Sequence, residues 1–439
     1  MRDLLIIGTI LAASLYALRR PWIGVLLWTN VSLMSPHVEF GYAAAAWPVG
    51  TIVAVATLIG FLLTRERQNP MASAPMLLLL VFTVWVTVTL PASIYFDQSL
   101  PLWLRSMKIF LMLFVTAALL DTRKKLDGFV WVCVLSIGYY GVKGGLFTLV
   151  TAGNYRVWGP GGFIEGNNEL ALAVIAIIPL MRYLQMQMQG RWARHAMSAA
   201  MGLCAITALG TYSRGALLGL AAMAVLLWAK SRGKVVWGLV LLVFGVIILS
   251  FMPDQWWERM DTIQSYELDE SALGRINAWW NAFNVAKDRF LGGGFMIYTP
   301  EVFARYSPEP DRVHAAHSIY FQVLGEHGFV GLLLFLAIGV TTWWRSSALI
   351  GAGQNDPRHR WAADLGAMVR VSMVAYAAGG AFLSLAYFDL PYNIMVMVVL
   401  ALLSVKRNVG QPHAAPAAAA SPAASPAAPG ALQRPARMS

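Results

Sequence analysis

The sequence contains very few charged residues for its length. Asp, Glu, Lys and Arg make up only 13% of its 439 residues, whereas ordinary soluble domains contain about 25%. This shortage excludes a soluble globular enzyme. Hydrophobic residues make up 58% of the chain and gather in long apolar runs that recur along it. Such runs are typical of a polytopic helical membrane protein.

Cysteine and acidic residues are also scarce. The two cysteines, Cys133 and Cys204, both lie inside apolar runs, so the sequence predicts no disulfide framework. Acidic residues number 22 against 33 Lys and Arg, which gives a formal charge of +11. In a membrane protein this excess is first a topology signal, and we predict no nucleic-acid partner from it.

The motifs of soluble enzymes are missing as well. The sequence contains no phosphate-binding P-loop, no HExxH and no GxSxG motif. The nearest acidic pair, Glu267 and Asp269, is explained more simply by an exposed acidic loop. We therefore predict no metal site and no cofactor.

Thirteen apolar segments can be distinguished, and several are shorter than the roughly 20 residues that a spanning helix needs. We predict an all-α polytopic integral membrane protein with twelve or thirteen transmembrane helices, of which the first two form a hairpin around Arg19–Pro21. The segments are Leu4–Leu18, Trp22–Met34, Val49–Leu63, Met76–Leu90, Ile109–Leu120, Val130–Val150, Leu170–Tyr183, Met197–Leu209, Ala216–Trp228, Val235–Phe251, Ile319–Thr342, Val369–Ala386 and Ile394–Leu403.

Basic residues cluster in alternate loops, as the positive-inside rule requires of the cytoplasmic face. The opposite loops, among them Pro91–Pro101, Thr151–Asn168 and Pro253–Ala316, are then periplasmic in a bacterial inner membrane. The clusters are Arg65/Arg67, Arg123–Lys125, Arg191/Arg194, Lys230/Arg232/Lys234, Arg345/Arg358/Arg360 and Lys406/Arg407.

This pattern divides the chain into four parts. Residues 1–252 and 317–408 are predicted to form transmembrane helices, and residues 253–316 one long periplasmic loop. Within the loop, Ser271–Lys287 has apolar residues at helical spacing and predicts an amphipathic helix lying on the membrane surface. Residues 409–439 are rich in Ala and Pro and are expected to be a disordered cytoplasmic tail.

Several basic residues fall at the predicted periplasmic edge. Ser213 is a plausible N-cap, which places Arg214 in a first helical turn, either as a ligand for an anion or as an arginine at the lipid headgroups. Arg275, on the predicted loop helix, has the same two interpretations. Arg105 and Lys108 begin the segment after Pro101, where membrane anchoring competes with phosphate binding.

His317 opens a long apolar segment that the sequence predicts to be helical. At 3.6 residues per turn, one face of that helix would carry His317, Tyr320, Phe321, Leu324, Gly328 and Gly331. A histidine in the first turn would stay neutral beside the helix dipole and could act as a general base. The alternative is a hydrogen-bonded interfacial histidine. His314 and His327 are less well placed, and Glu326 lies about half a turn away from His317.

In this order, the motifs resemble the O-antigen ligase and O-antigen polymerase superfamily of bacterial membrane glycosyltransferases. The resemblance is carried by Ser213-Arg214-Gly215, by Gly274-Arg275 and by His317-Ser-Ile-Tyr-Phe followed by Leu324-Gly-Glu-His-Gly328. Ser318 stands where Asn is commoner, and Phe321 where Leu is usual.

The resemblance implies transfer of a glycan from an undecaprenyl-pyrophosphate carrier to an acceptor hydroxyl at the periplasmic face, without a nucleotide. It implies that Arg214 and Arg275 bind the pyrophosphate and that His317 deprotonates the acceptor in an inverting displacement. Arg105, Lys108, Ser318 and Tyr320 are further candidates for substrate binding. The expected partners are the lipid-linked donor, the lipid A–core oligosaccharide as acceptor, and membrane lipids, while the oligomeric state stays open.

Two related activities share this chemistry: a polymerase that joins two lipid-linked repeats, and a protein O-oligosaccharyltransferase. They differ only in the acceptor, which the motifs do not specify. A secondary transporter or flippase is a more distant alternative, which predicts charged residues at mid-membrane and inverted repeats. No clear inverted repeat is visible in the sequence.

Overall fold

The computed structural model describes residues 1–231, 233–261 and 270–409. This part of the chain is helical and contains no strand, so the predicted all-α class is confirmed. Its α-helices are α1 (Arg2–Arg19), α2 (Pro21–Met34), α3 (Pro36–Glu39), α4 (Val49–Leu63), α5 (Ala74–Thr89), α6 (Phe96–Leu119), α7 (Arg123–Val150), α8 (Asn167–Gln187), α9 (Arg191–Gly210), α10 (Arg214–Lys230), α11 (Lys234–Ser250), α12 (Asp254–Asp261), α13 (Glu270–Asp288), α14 (Pro300–Tyr306), α15 (Ile319–Asn355), α16 (Arg360–Gly380) and α17 (Asp389–Val409).

Each of the thirteen predicted apolar segments falls on one of these helices. Within the described residues, six helical stretches are long and apolar enough to cross a membrane, which confirms a multi-pass membrane protein. The total of twelve or thirteen crossings stays a prediction. The six stretches are Ala74–Ala92, Phe96–Leu119, Arg123–Val150, Asn167–Gln187, Ile319–Asn355 and Asp389–Arg407.

The central helix of the bundle is α8. It is apolar on all sides and is enclosed by α7, α9, α10 and α16, as expected for a helix without a lipid-facing stripe. On α10, Gly215 and Gly219 face Gly379 of α16 at contact distance. Small residues of this kind let helix backbones approach closely in a membrane, and they fix the end of α10 that carries Arg214.

Three boundaries differ from the sequence prediction. First, α6 begins at Phe96, so Pro101 lies inside the helix and Arg105 and Lys108 are not at its start. Membrane helices tolerate an internal proline because neighbouring groups satisfy the backbone carbonyl that it leaves without a partner. Second, α16 ends at Gly380 rather than at Ala386, because the chain turns where Gly380 packs against Ile319.

The third difference concerns the helix after His317. Its first helical residue is Ile319, and the helix breaks at Gly328, which has φ 69° and ψ −175°. A left-handed residue interrupts the 3.6-residue period, so the predicted single face from His317 through Gly328 to Gly331 is wrong.

The described residues of the loop between α11 and α15 form three α-helices, and the predicted helix Ser271–Lys287 is confirmed as α13. Its buried face packs against α15. Asn277, Asn281 and Asn284, spaced four and three residues apart, donate side-chain hydrogen bonds to carbonyls of the returning chain. The loop is therefore a folded unit against α15, and its contact with the membrane surface stays a prediction.

Two further interpretations concern residues that the structure does not describe. Glu267 and Asp269 fall in the gap before α13, and the predicted disordered tail falls almost entirely after Val409. Both lie outside the described residues.

Candidate functional site

Two arginines from distant parts of the sequence line one cavity of about 550 Å³. Arg214 comes from the start of α10 and Arg275 from the loop helix α13. Apart from these two guanidinium groups the lining is apolar, so the cavity combines positive charge with a surface suited to lipid. The other lining residues are Gly215, Leu217, Leu218, Ala221, Ala272, Ile276, Trp279 and Phe382.

Arg214 is held by the cap of its helix. The Ser213 hydroxyl accepts a hydrogen bond from the Ala216 amide at 3.2 Å, as an N-cap does. The predicted cap and the position of Arg214 in the first turn are confirmed. The positive dipole end at the helix N-terminus adds to the guanidinium as a site for an anion.

Arg275 is positioned by the tryptophan one turn further along α13. The Trp279 indole donates a hydrogen bond from Nε1 to the Ala316 carbonyl at 2.7 Å. Its ring stacks on Phe321 with 5.0 Å between centroids and 6° between planes. Trp279 therefore joins the helix of Arg275 to the segment that carries His317. The sequence prediction missed this residue, although its spacing of four from Arg275 places both on one helical face.

His317 lies two residues before α15, not in its first turn as predicted. Its backbone has φ 43°, a left-handed conformation that is uncommon for a residue with a side chain. Burial, followed by the positive charge of Arg275 and by His314, lowers the pKa of His317 to about 4. The imidazole is therefore neutral at neutral pH, as the sequence predicted, but the main physical cause is burial rather than a helix dipole.

Two polar atoms at this point find no hydrogen-bond partner in the described part of the chain. They are Nδ1 of His317 and Oγ of Ser318, and both are buried. Ser318 occupies the N-cap position of α15, but its side chain makes no capping hydrogen bond. Buried polar groups are normally hydrogen-bonded, so these two atoms are available to a ligand.

His314 lies between His317 and Gly274 of α13. Its ring centroid lies 5.3 Å from that of His317. A Cβ atom added to Gly274 would lie 2.8 Å from Cδ2 of His314, closer than real Cβ atoms approach their neighbours. The glycine before Arg275 is thus required for the close approach of α13 to the histidines.

The remaining candidates lie elsewhere. The Arg105 guanidinium stacks over the Phe163 ring at 3.6 Å and interacts electrostatically with Asp389. Lys108 is exposed, and the Tyr320 hydroxyl donates to the Ala377 carbonyl at 2.9 Å in a separate groove of about 490 Å³. Among the described residues the structure thus brings Arg214, Arg275 and the His317–Ser318 pair together, without Arg105, Lys108 or Tyr320.

Glu326 and His327 belong to the packing behind the site. Tyr387 donates a hydrogen bond to Glu326 Oε2 at 2.5 Å, and His327 Nδ1 is hydrogen-bonded to Thr89 Oγ1 at 2.8 Å. Both side chains are buried. Their contacts explain them as structural residues of α15.

Glu169 is a second residue that the prediction missed. It lies in the first turn of α8 and interacts electrostatically with Arg275. Its position directly after Gly166-Asn167-Asn168 was the available signal. An acidic neighbour helps to orient the guanidinium and limits its repulsion with other cations.

The described part of the chain holds no group of three or more His, Cys, Asp or Glu side chains suited to a metal ion. Among the described residues, the charged side chains that line the cavity are the two arginines. Guanidinium suits phosphate because its planar fork of N–H donors can form two parallel hydrogen bonds.

Comparison with known families agrees with this geometry. Residues 199–336 match the family model described as O-Antigen ligase, a range that includes Arg214, Arg275 and His317. Residues 1–189 match a model described as a family of unknown function (DUF5935). No curated protein matches the chain.

Proposed function

We propose that this chain, of which residues 199–336 match the O-antigen ligase family model, transfers O-antigen polysaccharide from undecaprenyl pyrophosphate to the lipid A–core oligosaccharide. The family match implies an enzyme of glycosyl transfer, of the ligase or polymerase kind, and the six long apolar helices support a multi-pass membrane protein. The donor, the acceptor, the inner-membrane location and the periplasmic active site are our proposal.

In the proposed reaction His317 is the general base. Neutral imidazole takes the proton of the acceptor hydroxyl, and the resulting oxygen nucleophile attacks the anomeric carbon of the donor. The bond from that carbon to the pyrophosphate oxygen breaks in the same displacement, so the configuration is inverted. The pKa of about 4 keeps His317 unprotonated at neutral pH.

Arg214 and Arg275 bind the pyrophosphate and stabilise the charge that grows on it as it leaves. Their guanidinium groups perform the charge neutralisation in this proposal, and the apolar lining of the cavity accommodates the first isoprene units of the carrier. Undecaprenyl pyrophosphate is already an activated leaving group, so the proposal needs no nucleotide and no metal ion.

The observation that carries the proposal is the convergence of these three residues. They come from α10, α13 and the start of α15, far apart in sequence. Arg214 and Arg275 nevertheless line one cavity, and Arg275 lies near enough to His317 to lower its pKa. A base beside an anion site is the arrangement that transfer from a pyrophosphate requires.

A deletion strain tests the proposal. Its lipopolysaccharide is examined on gels and its lipid-linked glycans by mass spectrometry. We expect core oligosaccharide without O-antigen, together with long polymer left on the carrier, and restoration of both by the wild-type gene.

Two other outcomes would replace the proposed acceptor. Core oligosaccharide bearing a single repeat would indicate a polymerase. Normal lipopolysaccharide with loss of glycan from a pilin-like protein would indicate a protein acceptor. Unchanged glycans of every kind would contradict glycosyl transfer itself.

A further inference from the structure

A second cleft is lined in part by His314, the residue that packs against Gly274. It has a volume of about 810 Å³ and opens beside the loop between α14 and α15. His314 lines it, and the His314 ring lies 5.3 Å from that of His317. The other lining residues are Glu270, Ser271, Pro308, Glu309, Pro310, Asp311 and Arg312.

The two cavities have opposite chemistry. The cavity of Arg214 and Arg275 is apolar apart from its two cations, whereas this polar cleft carries three carboxylates against one guanidinium and one imidazole. Carboxylates repel a phosphate but accept hydrogen bonds from hydroxyl groups. The polar cleft is therefore suited to an uncharged, hydroxyl-rich molecule rather than to the pyrophosphate of the donor.

The wall of the polar cleft is rigid. Asn277 donates from Nδ2 to the carbonyls of Glu309 and Arg312 at 2.8 and 2.9 Å, and its Oδ1 accepts from the Glu309 amide at 3.0 Å. Glu309 also pairs with Arg312 at 3.0 Å. A preformed wall reduces the ordering cost of binding.

Two buried groups close to His314 need a ligand, independent of the carboxylates. The His317 ring lies 5.3 Å from that of His314, and neither Nδ1 of His317 nor Oγ of Ser318, which is only 1% exposed, finds a hydrogen-bond partner in the described parts of the chain. A hydroxyl group arriving from this side would supply a proton to the imidazole and a partner to the serine.

We propose that the polar cleft is the acceptor subsite and that it binds the uncharged saccharide end of the acceptor. The donor then reaches His317 from the apolar cavity and the acceptor from the aqueous side, with the Gly274–His314 contact between them. This inference rests on the proposed function, since it assigns the second substrate of the same reaction.

The first test measures binding without transfer. A cysteine is introduced by Asp311→Cys in the full-length protein in proteoliposomes, where the native Cys133 and Cys204 are buried. Maleimide labelling is followed with and without dephosphorylated core oligosaccharide. We expect the oligosaccharide to slow labelling at least five-fold, and to leave labelling of the exposed control Asp97→Cys unchanged.

The second test measures transfer. The isosteric double variant Glu270→Gln/Asp311→Asn should raise the KM for the lipid A–core acceptor about ten-fold, because neutral amides replace the charged acceptors of the carboxylate–hydroxyl hydrogen bonds. Binding of radiolabelled geranylgeranyl pyrophosphate to the donor cavity should stay unchanged. Asp97→Asn is the matched control.

The two tests separate the two proposals. Labelling at Asp311→Cys that the oligosaccharide does not slow, or a double variant with the wild-type acceptor KM, overturns the acceptor subsite while transfer stands. If the oligosaccharide protects Asp311→Cys from labelling but the wild-type protein transfers nothing, the proposed function is overturned while the subsite stands.

Discussion

At the residue scale, the ionisation of His317 sets the pH range over which the proposed base works. Burial is the largest cause of its lowered pKa, and Arg275 and His314 add to it. A group whose pKa falls below its ordinary value is deprotonated over a wider range toward acid. The base form of His317 is therefore present at every pH above about 4.

We predict that kcat/KM of the wild-type enzyme is constant from pH 8 down to about pH 5, because that parameter reports ionisation in the free enzyme. In Arg275→Gln the loss of the positive charge raises the pKa of His317, so the acid limb of the profile moves to higher pH. Initial transfer rates in proteoliposomes across this range check both. A wild-type profile with its midpoint near 6.5, the ordinary value for histidine, would contradict the burial argument.

The sequence predicted the local structure around some site residues but not around others. The cap at Ser213 and the place of Arg214 depend on three neighbouring residues, so they could be predicted. The position of His317 could not, because its left-handed backbone depends on contacts with α13 that are 30 to 40 positions away in sequence. Trp279 and Glu169 were missed because their roles appear only when separate helices meet.

At the scale of elements, the break in α15 fixes the position of the loop relative to the membrane helices. The amides of Gly293 and Gly294 donate to the carbonyls of Gly325 and Glu326, each at 2.9 Å, just before the break at Gly328. The Trp85 indole donates a hydrogen bond from Nε1 to the His327 carbonyl at 2.9 Å. These backbone groups around the break are thus satisfied by the loop and by α5, and the loop carries Arg275.

The sequence could predict the loop helix, but not that the loop meets α15 at a helix break. Periodicity treats Leu324–Gly331 as continuous helix, since glycine within a helix gives no unambiguous signal. The break depends on donors from Gly293 and Gly294, about 30 residues earlier.

We predict that Gly328→Ala lowers both stability and activity. Its φ of 69° disfavours a side chain, and an added Cβ would lie 2.3 Å from the Phe290 carbonyl oxygen. The cost is on the order of 1–3 kcal/mol for the backbone conformation alone. The matched control is Gly339→Ala on the same helix, where nothing lies within 4 Å of the new Cβ. Thermal unfolding in detergent compares the two variants, and equal midpoints would argue against a structural role for the break at Gly328.

At the scale of the whole molecule, the sequence predicts the fold class and, through the distribution of basic residues, the orientation in the membrane. The all-α membrane class could be predicted from composition and apolar runs alone, because a bilayer admits few backbone arrangements. Packing order could not, since α8 is recognised as the central helix only from its neighbours.

Orientation gives a further prediction. In intact cells a membrane-impermeant maleimide should label Asp97→Cys, because residue 97 lies on the predicted periplasmic face. Arg194→Cys should be labelled only after the membrane is opened, since it lies in a basic cluster that the positive-inside rule places in the cytoplasm. The reverse pattern would place the arginine cavity on the cytoplasmic side and contradict the periplasmic site.

The central claim is that His317 acts as base on a donor held by Arg214 and Arg275. The most direct measurement compares wild type with His317→Gln, purified and reconstituted, for donor binding and for transfer from undecaprenyl-pyrophosphate-linked O-antigen to lipid A–core. His195→Gln, an exposed histidine on α9, is the control. We predict that His317→Gln binds donor within about two-fold of wild type and transfers about 10²–10⁴-fold more slowly, the usual contribution of a general base. Transfer by His317→Gln at the wild-type rate would contradict the account.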